Sequence, residues 1–183
     1  MKIILEGPDN AGKTTLAYSI LGEDRSLYFH PGGPPASIEA EHACIREQEV
    51  LFKMPRLIHD RVTCISQQVY NSDESLDQDR HAAMLRLFRL GALLVYCRPP
   101  SDRLMSFEKF TWRDGETEEH KQKIIQRQHE FIRRYDELME ALPCVHYDFD
   151  NVPLHNCIRA AFRGDTKMEK FLREIATMPK RFK

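Results

Sequence analysis

Eight residues near the start of the chain have the types and the spacing to hold a polyphosphate. Gly7-Pro8-Asp9-Asn10-Ala11-Gly12-Lys13-Thr14 matches G-x-x-x-x-G-K-[ST], the pattern of a phosphate-binding P-loop. Gly7 and Gly12 free the backbone to curl around Asn10 and Ala11 with its N–H groups pointing inward. A helix starting near Lys13 adds its positive dipole end. Lys13 has the reach for the β- and γ-phosphates. Thr14 offers a hydroxyl to Mg²⁺, and Thr15 offers one to the α-phosphate. The expectation is a site for ATP and Mg²⁺. The motif does not say what accepts the phosphate.

Further candidates lie downstream. Asp60-Arg61 ends a short apolar run, and ligands bind at the strand ends of parallel sheets. Asp60 suits Mg²⁺, through water, beside Thr14. The planar fork of Arg61 suits an acceptor or transferring phosphate. The plainer alternative is a surface ion pair. Phe29, Ser66 and Tyr70 could line a base pocket, though aromatics beside strands are commonly core. His30 and His59 are titratable, or are satisfied structural histidines.

These residues need elements to position them. Lys2–Leu5, Ser26–Phe29, Arg56–His59, Ala92–Cys97 and Cys144–Phe149 are apolar runs too short for helices and read as strands. Helical spacing covers Lys13–Leu21, a stretch capped by Ser37 and ended by Pro55, a segment stopping at Gly91, and Thr117–Leu142. That last face carries one polar break, Gln128. Ser101 caps a short helix, and two more helices lie near Pro153–Phe162 and Met168–Met178. Strands alternating with helices predict an α/β, three-layer P-loop NTPase fold with a parallel sheet of about five strands.

Composition bounds the function. The 183 residues fit one domain, 1–183, and the formal net charge of −1 excludes reliance on bulk attraction to nucleic acid. No apolar run nears the ~20 residues of a membrane helix, so no membrane partner is expected. The start reads as a strand rather than a signal peptide. Five cysteines without a CxxC pair fit free thiols in a reducing, cytoplasmic setting.

The wider string Leu5-Glu6-Gly7-Pro8-Asp9-Asn10-Ala11-Gly12-Lys13-Thr14-Thr15 resembles the opening of thymidylate kinases. Pro31-Gly32-Gly33 after the second strand is similar to that family's Pro-Gly-Gly element, and Asp60-Arg61 to its Asp-Arg-Tyr element. The resemblance covers Met1 to Tyr70 and is only architectural beyond. Val62 stands where an aromatic is usual, and His30 where an acid is usual. Ser66 and Tyr70 match only with a one-residue shift. Tyr96-Cys97-Arg98-Pro99-Pro100 resembles the related deoxynucleoside kinases as well. The pattern is similar to compact kinases of this superfamily encoded by DNA phages, which would place the protein in a host cytoplasm.

The resemblance implies roles. Asp9 faces the acceptor sugar, or else stabilises a turn. His30, Gly32, Gly33, Arg61, Ser66 and Tyr70 are implied on the acceptor side. A lid is implied at about 106–116, with Arg113 the catalytic lid arginine and Arg103 second to it. The resemblance also implies a homodimer paired through helices, with no seam evident in the sequence.

Acceptor chemistry separates the readings. A monophosphate is already an anion, whereas a hydroxyl acceptor needs a carboxylate nearby. Arg25–Ser37, where deoxynucleoside kinases keep such a glutamate, contains no acid. The leading expectation is therefore ATP-dependent phosphorylation of a deoxynucleoside monophosphate. The alternatives are a kinase for a nucleoside or for 5-hydroxymethyluracil in DNA, and a P-loop ATPase or switch module. Glu6, Asp9 or Asp60 could serve a hydroxyl. DNA is a partner only under the first alternative, where Gly164–Lys183, with six Lys or Arg against three Asp or Glu, could touch its backbone.

Overall fold

The computed structural model of the chain describes residues 1–24, 26–71, 74–99, 117–148 and 151–179. The short apolar runs pair as strands: β1 (Lys2–Glu6), β2 (Tyr28–Phe29), β3 (Leu57–Asp60), β4 (Ala92–Cys97) and β5 (Cys144–Tyr147). Every pairing is parallel, and the spatial order is β2-β3-β1-β4-β5. Among the described residues seven helices flank this sheet. They are α1 (Lys13–Leu21), α2 (Ile38–Leu51), α3 (Thr63–Tyr70), α4 (Asp77–Arg89), α5 (Glu118–Ala141), α6 (Val152–Phe162) and α7 (Thr166–Ala176).

Strand alternation sorts the core into two layers. Ile3 and Leu5 of β1 with Leu93, Val95 and Cys97 of β4 face one way, onto Leu16, Ala17 and Ile20 of α1 and Ile158 and Phe162 of α6. Ile4 with Leu94 and Tyr96 face the other way, onto Ile65 of α3, Met84 and Leu87 of α4 and Tyr135 and Met139 of α5. All six residues of β4 are buried, as a central strand covered on both faces requires. Each such fully buried aliphatic side chain stabilises the fold by about 1.5–3 kcal/mol. Among the described residues no helix is long and apolar enough to cross a membrane. All five cysteines are unpaired.

The expected α/β architecture holds, with differences at particular elements. The second strand is two residues, Tyr28–Phe29, rather than the expected Ser26–Phe29. Helix α3 had no counterpart in the sequence reading. It begins after Val62, whose side chain makes no cap; Glu6 and Gln48 accept its first N–H groups, from Val62 at 2.6 Å and Thr63 at 3.0 Å. The helix capped by Ser101 and the lid at 106–116, with Arg103 and Arg113, lie outside the described residues.

Candidate functional site

The loop between β1 and α1 leaves the sheet at its C-terminal edge. Gly7 has φ +145°, and a Cβ there would lie 2.2 Å from the Cys97 carbonyl oxygen, so no other residue fits. Asn10 and Gly12 also have positive φ, at 56° and 68°. Gly12 precedes α1 in a left-handed conformation with no side-chain cap, and the first turn of α1 holds no acid. The first N–H groups of α1 are thus left for an anion. Lys13 Nζ folds back onto the Gly7 and Pro8 carbonyls at 3.0 and 2.6 Å. Burial, reinforced by nearby Arg61, lowers its ammonium to about 8. Bound phosphate would counter both effects. Thr15 is exposed, and Ala11 is buried with its N–H on Pro8 O at 3.3 Å.

Thr14 and Asp60 meet across the strand ends. Thr14 Oγ1 donates to Asp60 Oδ2 at 2.8 Å, and Tyr28 Oη donates to the same oxygen at 2.8 Å. Asp60 Oδ1 is buried without a hydrogen-bond partner. A hydroxyl and a carboxylate are hard oxygen donors, and Mg²⁺ typically takes one or two protein groups beside substrate phosphates and water. The unpaired Oδ1 and this donor set fit Mg²⁺.

Arg61 follows Asp60 with φ +70°, uncommon for a residue with a side chain. Its backbone N–H bonds Leu5 O at 2.8 Å. Its guanidinium turns back to the P-loop, donating to Asp9 Oδ1 at 2.7 Å, the Tyr70 hydroxyl at 3.0 Å and Gly7 O at 3.4 Å. It also lies 5.0 Å over the Tyr70 ring. Arg61 Nε is buried and unpartnered. Burial alone would raise the Asp9 carboxyl, but Arg61 and Lys13 outweigh it and hold Asp9 below the usual carboxylate range. One cation of fixed charge thus stands beside the phosphate cradle.

An aromatic wall backs this cluster. Tyr70 packs on Phe131 at 4.6 Å and on Tyr135 at 6.0 Å, and Tyr135 on Tyr96 at 5.8 Å. Arg134 fixes the end of α3 by donating to Gln68 O and Asn71 O at 3.1 and 3.0 Å. Beneath lies Glu6, fully buried, which accepts from Val62 N at 2.6 Å and from Tyr135 Oη at 3.0 Å. Burial raises its carboxyl to about 7 against those hydrogen bonds.

The structure brings Lys13, Thr14, Asp9, Asp60, Arg61 and Tyr70 together. It does not bring all the expected residues there. Ser66 is 9% exposed and points its hydroxyl at Glu6, at 3.3 and 3.4 Å, rather than at the cleft. His59 is buried between Phe29 and Phe52, with Nδ1–H on Arg61 O at 2.5 Å, and burial lowers it to about 4. It shapes the Arg61 turn as a neutral ring, and Phe29 packs on it. His30 is half-buried just past β2. Gly32 and Gly33 are exposed, and nothing lies within 4 Å of where a Cβ would be.

Tyr28, Glu6 as a helix cap and Tyr135 were not assigned these positions from sequence. For Tyr28 no local signal exists, because its role depends on β2 lying beside β3. For Glu6 the signal is a carboxylate at the inner end of an apolar strand.

No family model matches the sequence, and no curated protein is significantly similar to it. The chain is similar in fold to the YorR protein of Bacillus subtilis, whose crystal structure is a complex with phosphorylated GDP. The TM-score is 0.62 at 18% identity, over 93% of this chain and 98% of that chain. At that identity the likeness shows the fold, and with the parallel sheet and the glycine-bearing loop it makes this an α/β protein of P-loop NTPase type.

Proposed function

We propose that the protein is an ATP-dependent kinase of a deoxynucleoside monophosphate, similar to thymidylate kinases and working as a single domain by direct in-line transfer. One observation carries the reading: Arg61 reaches from the end of β3 to Asp9 inside the P-loop, at 2.7 Å. A cation suited to an acceptor phosphate then sits against the cradle for the donor. Transfer between two polyanions needs positioning and neutralised charge, and no covalent intermediate. The YorR complex with phosphorylated GDP is consistent with a nucleotide site on this fold.

In this reading the P-loop amides and Lys13 hold the donor phosphates. Lys13 exchanges its two backbone carbonyl contacts for phosphate oxygens. Thr14 and Asp60 would hold Mg²⁺, whose charge would neutralise phosphate oxygens. Arg61 orients the acceptor phosphate, one oxygen of which attacks the γ-phosphorus as the bond to the β-phosphate oxygen breaks and ADP leaves. Asp9, kept ionised by Arg61, is placed to accept from a sugar hydroxyl.

The geometry disfavours a hydroxyl acceptor. Glu6 is enclosed, Asp9 is paired with Arg61, and Asp60 is set beside Thr14 with its open oxygen suited to Mg²⁺ rather than to a hydroxyl proton. The experiment is a panel of acceptors with ATP and Mg²⁺. Deoxynucleoside monophosphates should yield diphosphates. Inert mononucleotides with label entering hydroxymethyluracil-containing DNA, or ATP hydrolysis indifferent to any acceptor, would overturn the proposal.

A further inference from the structure

Gln128 is the polar break in the apolar face of α5, and only 5% of it is exposed. Its Nε2 has no hydrogen-bond partner. A buried amide left unpaired opposes folding, and natural folds rarely keep one without a use. Its place narrows that use. Tyr135, two turns later, stacks on Tyr96 near the C-terminal end of β4, and Cys144 at the start of β5 donates to Met139 O one turn further on. Helix α5 therefore runs antiparallel to the strands, and the part before Tyr135 rises past the edge where the P-loop opens. Phe131 packs on Tyr70, whose hydroxyl meets Arg61 and Asp9. Gln128 shares the stripe of Phe131 and Tyr135, one turn beyond the Tyr70–Phe131 contact.

We infer that Gln128 is a specificity residue that reads the base of the acceptor, an inference resting on the acceptor reading above. An amide sets one donor beside one acceptor. Nε2 can donate to a keto oxygen while Oε1 takes the adjacent ring N–H, the edge of uracil, thymine and guanine, or donate to a ring nitrogen while Oε1 takes an exocyclic amino N–H, the edge of cytosine and adenine. Each base sets its donor and acceptor in its own order and place, so a fixed amide discriminates among them. The rings of Tyr70 and Phe131 supply a surface for the face of the base.

The test is steady-state kinetics with ATP, Mg²⁺ and the five monophosphates of thymine, uracil, guanine, cytosine and adenine. The wild type should prefer one of the five bases. Gln128→Leu keeps the volume and removes both polar groups. It should raise the KM of that acceptor about ten- to a hundredfold, leave the KM of ATP unchanged and flatten the preference. The ligand-free variant should also melt at a higher temperature, because an unpaired amide is gone. Gln128→Glu, with no donor when ionised, should lose the same preference.

A working Gln128→Leu or Gln128→Glu enzyme with wild-type acceptor ratios overturns the inference alone. So does a Gln128→Leu variant that melts lower or fails to fold, and so does a wild type that takes all five bases equally. A wild-type protein that phosphorylates none of the five overturns the acceptor reading, and this inference with it.

Discussion

The two sides of the cleft are built by opposite means. The side proposed for the phosphate donor is mostly backbone, one continuous loop bent through positive φ at Gly7, Asn10 and Gly12 and ending on the uncapped first turn of α1. The side proposed for the acceptor is side chains gathered from afar: Arg61 from the end of β3, Tyr70 from α3, and Phe131 and Tyr135 from α5. Ser37, Asn151 and Asp165 cap α2, α6 and α7 with their own oxygens, whereas the N-cap residues of α1, α3 and α4 supply no side-chain cap; at α3 Glu6 and Gln48 accept instead, and at α1 the first turn stays open. A cradle made of main-chain amides tolerates little change at its few special residues. A wall of side chains is altered one group at a time.

The largest expected effect is on the donor side. Lys13→Ala removes the ammonium that folds onto the cradle. Phosphotransfer should fall on the order of 10³-fold, as when a preorganised charge is removed from a transition state. The fold should survive, since the lost contacts are two carbonyl bonds to a partly desolvated amine. Radiolabel transfer from ATP at parent rate would break the donor assignment outright. Next comes Arg61→Lys, which keeps charge but loses the fork and the packing over Tyr70. The acceptor kcat/KM should drop about ten- to a hundredfold while the KM of ATP holds. A change confined to ATP would put Arg61 on the donor side and erase the contrast.

The same contrast explains what could be read from the sequence. The donor loop is local, so eight residues displayed it. The strands of the sheet were legible because each is a short apolar run, and β4 was legible to the residue. Helix α3 was not: Val62 cannot cap it, and its caps come from Glu6 and Gln48, 56 and 15 residues away. Ser66 looked like a cleft residue from its place after Asp60-Arg61, yet the turn of α3 carries it to Glu6. Tyr70 is reached by Arg61 only because Arg61 turns back with φ +70°. Acceptor-side residues were thus visible as types, but their grouping is a property of the packed sheet and helices.

Glu6 links the two sides, since it ends β1 and caps α3, and its effect is on stability. Its folded carboxyl sits at about 7, above its ordinary value of 4.5, because burial disfavours the charge. The folded state therefore binds its proton more tightly than the unfolded chain does. That contribution is full below about pH 4.5 and is lost as pH rises through about 7. Glu6→Gln removes the titration while keeping an oxygen for the Val62 N–H. Urea unfolding at pH 5 and pH 8 should show a smaller loss of stability between them in the variant than in the parent. An equal loss in both would mean that Glu6 is ionised in the fold throughout.

The smallest effect tests whether β2 belongs to the donor side at all. Tyr28 and Thr14 donate to the same oxygen of Asp60, and together they fix which way the carboxylate turns its unpaired Oδ1. Tyr28→Phe keeps the edge contact with Tyr18, 5.3 Å between ring centres, and removes only the hydroxyl. One hydrogen bond of this kind contributes about 0.5–1.5 kcal/mol, so the Mg²⁺ concentration for half-maximal rate should rise about two- to tenfold. The rate at saturating Mg²⁺ should hold, and Mn²⁺ binding followed by electron paramagnetic resonance should weaken by a similar factor. A variant that binds Mn²⁺ as tightly as the parent would show that Thr14 alone orients Asp60. The donor side would then be as local in space as it is in sequence, and only the acceptor side would depend on distant strands and helices.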